Sequence, residues 1–187
     1  MDRDKALTII NKYVKNKHLI HHMLAVEAAM RFYANKYKQD EEKWGIAGLL
    51  HDFDWEIHPS VNDHPQLGAR LLRDENIDEE IIRAILSHAD HTGIKRISLL
   101  EKFLYACDEI TGLITAVALV RPSKSILDVN VSSIKKKWKN KLFAANVNRD
   151  EIEASVDILG IDLWEHVENV LITMQKIANV IGLKGVP

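Results

Sequence analysis

Apolar residues recur at three- and four-residue spacing along nearly the whole chain, and no stretch alternates with period two. The chain therefore reads as all-helical (all-α). Asp2 to Val14 is a first predicted helix. Leu19 to Tyr37 is a second, with Leu19, Met23, Val26, Met30 and Tyr33 on one face. Asp40 is the predicted N-cap of a third, which carries Trp44, Ala47 and Leu50 and ends near His51 to Phe53. The segment DWEIHPSVNDHP is loop by its Pro, Asn and Asp content. A fourth helix is predicted from Pro65 to Arg73, with the proline in its first turn. Asp78 caps a fifth, Glu79 to His88, and ADHTGIKR follows as loop. Ser98 opens a long helix that Arg121-Pro122 stops.

After Pro122 the character changes. KSILDVNVSSIKKKWKNKLFAANVN is basic and reads as two or three short elements. Asn148 or Asp150 caps EIEASVDILG, which ends at Gly160, and Asp162 caps a last helix through about Val180. The expected organisation is a helical core over 1–122 and a helical extension over 123–187, packed together as one structural domain.

Composition narrows the chemistry. With 25 Lys plus Arg against 27 Asp plus Glu in 187 residues, the net charge of -2 gives no global drive toward nucleic acid or an anionic membrane. The single cysteine, Cys107, excludes an intrachain disulfide and a Cys-cluster metal site. The longest weakly polar run, Ile110 to Val120, is too short to span a bilayer. The start MDRDKALTII lacks a signal-peptide pattern. A soluble protein in a reducing, cytoplasmic compartment is expected.

Histidine is the compositional signal: nine in all, seven of them between His18 and His88. His22 lies on an apolar stripe with Ala25, Val26 and Ala29, where a single histidine is usually a satisfied core residue. His51 and Asp52 end an apolar helix and would point a nitrogen and a carboxylate inward together. Asp108 sits on the apolar stripe of LLEKFLYACDEITGLI, where an acid is costly unless paired or metal-bound. His64 stands at a helix start and His88 at a helix end, a place that also suits a histidine electrostatically. Taken together, such imidazoles and carboxylates suit a divalent transition metal. His22, His51, Asp52 and Asp108 would hold one ion; His64 and His88 could hold a second, with Asp52 bridging.

In this order the motifs resemble the HD-domain superfamily of metal-dependent phosphohydrolases. The matching positions are His22 in HHMLAVEAAM, His51 and Asp52 in GLLHDFD, and Asp108 in YACDEITG. HPQLGARLL and ILSHADHTG are similar to the segments that carry the second-metal histidines. The stretch from Ala118 to Ile152 looks like the tail of a bacterial HD hydrolase subgroup known as predicted hydrolases. Two features depart from the family. HDFDWE stands where His-Asp-Ile-Gly-Lys is frequent, and Ala89 replaces the second histidine of the cyclic-dinucleotide branch, with no Gly-Tyr-Pro signature following.

The resemblance implies an HD-domain helical bundle that uses one or two ions (Mn, Fe, Co, Ni or Zn) to hydrolyse a phosphate ester. The implied substrate is a small phosphorylated metabolite or a nucleotide. Asp52, Asp54 and His91 are the expected catalytic residues, with Glu56 and His58 on the same loop also in reach. Arg121, Lys124 and Lys136 are the expected phosphate contacts; the run from Lys135 to Lys141 reads equally as a solvated face. Nucleic acid and membrane are disfavoured as partners, and a homo-oligomer stays open. Two other functions compete: a di-iron oxygenase on the same fold, and a non-catalytic nucleotide-binding regulatory module.

Overall fold

The computed structural model describes residues 2–185. Among them are nine α-helices and no strand, consistent with an HD-domain helical bundle. No helix among the described residues is long and apolar enough to cross a membrane. The chain divides into two compact units that meet between Tyr105 and Ala106, within one helix. The change of sequence character at Pro122 therefore falls inside the second unit.

The first unit contains α1 (Arg3–Tyr13), α2 (Lys17–Lys36), α3 (Glu41–Leu50), α4 (Gln66–Asp74) and α5 (Glu79–Ser87). A single 3-10 turn, Asp90–Thr92, interrupts the expected ADHTGIKR loop. Asp40 and Asp78 cap α3 and α5 by accepting from the backbone N–H of Lys43 and Glu80, both at 2.9 Å. The second helix starts at Lys17 because Asn16 caps it, accepting from His18 N–H. Pro65 occupies the N-cap of α4 rather than its first turn.

Helix α3 is buried from Trp44 through Leu50 and packs along α2, with further contacts to α1 and α5. An all-round apolar helix belongs in a core. Gly48 makes the close approach work: a Cβ there would lie 3.0 Å from the Glu27 backbone of α2. The next residue after this dry helix is His51, so its imidazole is delivered to the interior.

The second unit contains the rest of α6 (Leu99–Leu119), a 3-10 turn at Ile126–Asp128, α7 (Val131–Trp138), α8 (Arg149–Leu159) and α9 (Leu163–Lys176). Asn130, Asn148 and Asp162 cap the last three. The expected extension of the last helix to Val180 is not what forms. The chain leaves α9 at Lys176 and turns back, so that Ile181 and Leu183 are buried and Leu183 O accepts from Ile126 N–H at 2.8 Å. Trp138 meets Trp164 edge to face at 5.3 Å, whereas Leu142 stays 90% exposed.

Candidate metal centre

Five of the expected ligands converge inside the first unit, and two of them arrive by the same device. His51 is the C-cap of α3 and His88 the C-cap of α5. The last turn of a helix leaves carbonyls without intrahelical partners. Each ring satisfies the carbonyl three residues back: His51 Nδ1 donates to Gly48 O at 2.8 Å, and His88 Nδ1 donates to Ile85 O at 2.5 Å. A carbonyl can only accept, so each neutral ring carries its proton on Nδ1 and presents Nε2 as an acceptor. The helix end thus fixes the tautomer as well as the ring position.

His64 reaches the same state by a different route. Its Nδ1 donates to Asp54 Oδ1 at 2.8 Å, and Asp54 Oδ2 accepts from Gly68 N–H at 3.1 Å. The Asp54 side chain is wholly buried. His64 Nε2 then faces His88 Nε2 at 3.4 Å.

Asp52 joins the groups. Its Oδ2 lies 3.4 Å from His51 Nε2 and 3.7 Å from His22 Nε2. Its Oδ1 lies 3.4 Å from His64 Nε2 and 3.5 Å from His88 Nε2. One carboxylate therefore turns a different oxygen to each histidine pair. His22 and His51 meet at 3.2 Å between their Nε2 atoms.

Asp52, His64 and His88 are a set of ligand atoms able to hold a metal ion. Their chemistry fits one closely. With the protons of His64 and His88 committed at Nδ1, three acceptor atoms converge and none is a donor. Only a proton or a cation placed among them relieves that repulsion. Asp52 reports the same demand. Burial pushes its carboxyl up, but His51 and His88, when a second proton makes them charged and donating from Nε2, outweigh it and hold it well below the usual carboxylate range.

The other expected residues are placed as follows. Asp54, expected as a catalytic acid, stands behind His64 with both oxygens engaged. His91 is exposed in the Asp90–Thr92 turn and donates from Nε2 to His64 O at 2.8 Å. Glu56 accepts from the backbone N–H groups of Lys15 and Asn16, both at 2.8 Å, which hold it below the usual carboxylate range. Asp108 lies on α6 in the second unit, half-buried, with its carbonyl accepting from Thr111 Oγ1. Arg121, Lys124 and Lys136 also belong to the second unit. Arg121 is half-buried; Lys124, in the left-handed region at φ 49°, and Lys136 are exposed.

Sequence reasoning missed the anchors: Gly48 O, Ile85 O, and the use of Asp54 and Gly68 to aim His64. The first two carry a readable signal, a histidine directly after an apolar helix. The Gly68 contact spans fourteen residues and leaves no local pattern.

A family model described as HD domain matches residues 19–113, just over half of the chain. No solved structure matches it.

Proposed function

The chain belongs to the HD-domain family, whose members are typically metal-dependent hydrolases, and on that premise we propose that it hydrolyses a phosphate ester of a small metabolite or nucleotide. The observation that carries this reading is the split carboxylate of Asp52, one oxygen toward His22 and His51 and the other toward His64 and His88. Such a bridge suits a pair of divalent ions.

In this reading His22, His51 and Asp52 hold one ion, and Asp52, His64 and His88 the other. The family pattern assigns a further carboxylate to Asp108. Bound divalent ions supply a water of lowered pKa and polarise phosphoryl oxygens. The chain's own residues set the stage. Gly48 O, Ile85 O and Asp54 hold three imidazoles by Nδ1 with Nε2 turned to the centre, so no ring must rotate to bind. Asp54, buried and doubly engaged, orients His64 rather than moving protons. His91, exposed beside the centre with its Nε2 proton held by His64 O, turns Nδ1 as an acceptor available to orient a water. Trp55, exposed and edge-on to His64 at 4.9 Å, supplies an apolar wall against the substrate body.

Elemental analysis of protein purified at low oxygen, without added metal, is the first test. The expected content is about two transition-metal ions per chain. The metal-loaded protein is then assayed against phosphomonoesters and phosphodiesters, with Asp52→Asn as the inactive control. Failure to bind manganese, cobalt, iron, nickel or zinc, even when each is added, overturns the reading. Bound iron with oxygen consumption and no phosphate release moves it to oxygen chemistry.

A further inference from the structure

The second unit has a cavity of about 400 Å³ where the end of α6 meets the start of α7. Three of its lining side chains are cations, Arg121, Lys136 and Lys137, and no acid among the described residues lines it. In a chain of net charge -2 with nearly balanced signs, such a one-sided concavity is a local choice. Like charges are costly to gather unless an anion joins them.

Arg121 gives the sharper observation. Its Nη2 donates to Ser133 Oγ at 2.5 Å, but its Nε is buried with no hydrogen-bond partner among the described residues. A buried N–H without an acceptor costs free energy, and a charged one more. Arg121 also lines the cavity, and an oxyanion bound there would offset its charge. The helix N-terminus is not the source of the attraction, since Asn130 Oδ1 already accepts from Ser133 N–H at 3.0 Å and from Ser132 Oγ at 2.6 Å.

The remaining wall is apolar: Val117, Val120 and Pro122. The volume falls in the ~300–1,000 Å³ range of small-molecule sites. We propose that this cavity binds a small organic phosphate, its phosphoryl group on Arg121 and Lys136 and its body against the valines. A phosphate dianion answers three cations better than a carboxylate does. The site lies wholly in the second unit and does not rest on the metal centre.

The test is amide chemical-shift mapping on the full-length, zinc-loaded, nitrogen-15-labelled protein. The probe is phenylphosphonate, which cannot be hydrolysed as an ester; benzoate and benzyl alcohol carry the same ring without the phosphonate. Phenylphosphonate is expected to shift the amides of Arg121, Ser132, Ser133 and Lys136, benzoate less, and benzyl alcohol not at all. Lys136→Gln should weaken binding about threefold, because the lysine is exposed. Arg121→Gln should weaken it about tenfold. Asp52→Asn should leave these shifts and this affinity unchanged. Shifts confined to residues 22–91 would overturn the proposal. So would wild-type affinity in Lys136→Gln, a variant whose unshifted spectrum elsewhere shows it folded.

Discussion

His64 donates from Nδ1 to Asp54 Oδ1 across 2.8 Å, and both side chains are almost completely buried. Because Asp54 holds that proton in place, the opposite nitrogen must accept. Partners of this kind typically change metal affinity about 10–100-fold when removed. Asp54→Asn keeps an acceptor but loses the charge, so about a tenfold loss is expected; Asp54→Ala should approach a hundredfold. Gly68→Ala attacks the same contact sterically, since its Cβ would lie 2.4 Å from the Asp54 carboxyl carbon. Calorimetric titration of metal into chelator-treated protein reads the effect. Unchanged affinity in Asp54→Ala would remove Asp54 from the centre.

The split carboxylate makes a prediction about stoichiometry. Asp52→Asn should cost the affinity of both ions, whereas His64→Ala and His88→Ala should each lower metal content from about two per chain to about one. His51→Ala and Asp108→Ala should abolish binding. The elemental content of each purified variant checks this. If His64→Ala and His88→Ala both keep the wild-type content, those rings are structural and the centre holds one ion.

Helical periodicity and caps were legible where the physics is local. Asp40, Asp78 and Asp162 announce helix starts because an acid before an apolar run has few other uses. The clustering of His22, His51, Asp52, His64 and His88 was legible because imidazoles on apolar stripes are expensive without a shared purpose. Asp54 was read as a catalytic residue on a loop beside the ligands, because sequence shows that a residue lies in a loop but not that the loop folds inward. The close of α9 was missed for a related reason. Whether Asn179 to Leu183 continues a helix depends on Ile126 waiting to receive the chain, a partner more than fifty residues away.

Arg149 supports a tertiary prediction. It is buried, and its guanidinium donates to five carbonyls: Trp138, Asn140, Phe143, Ala144 and Val147. That matches the five N–H groups of the side chain. It holds together a segment in which Ala144 sits at φ 47°, an uncommon conformation for a residue with a Cβ. Arg149→Met should lower stability by about 3 kcal/mol, since the carbonyls lose a charged partner together. Arg149→Lys should not restore it, because an ammonium lacks the fork. Urea denaturation measures the loss, and proteolysis should become fast between residues 139 and 147. Slow proteolysis there with unchanged stability would show that the segment holds without Arg149.

The junction of α3 and α5, the helices that deliver His51 and His88, predicts a pH dependence. Asp78 caps α5 through Glu80 N–H and also meets Lys43 Nζ on α3 at 3.0 Å. The backbone hydrogen bond first, then Lys43, hold the Asp78 carboxyl below the usual range. Lys43 is pushed up to about 12 by its hydrogen bonds to Glu80 and Asp78. For the acid, the folded pKa is depressed, so its stabilisation is complete above the unfolded value of about 3.9 and is lost as pH falls through the folded value. For the lysine, the folded pKa is raised, so its share is complete below about 10.4 and is lost as pH rises toward 12. Asp78→Ala should therefore be less stable than wild type by about 1 kcal/mol near neutrality, the usual worth of an N-cap, the exposed ion pair adding little. The gap should close in acid as wild type loses the charged cap. Thermal melts of both proteins from neutral pH down to about 3 measure it. A gap that stays constant through that range would mean that Asp78 contributes by packing and not by charge.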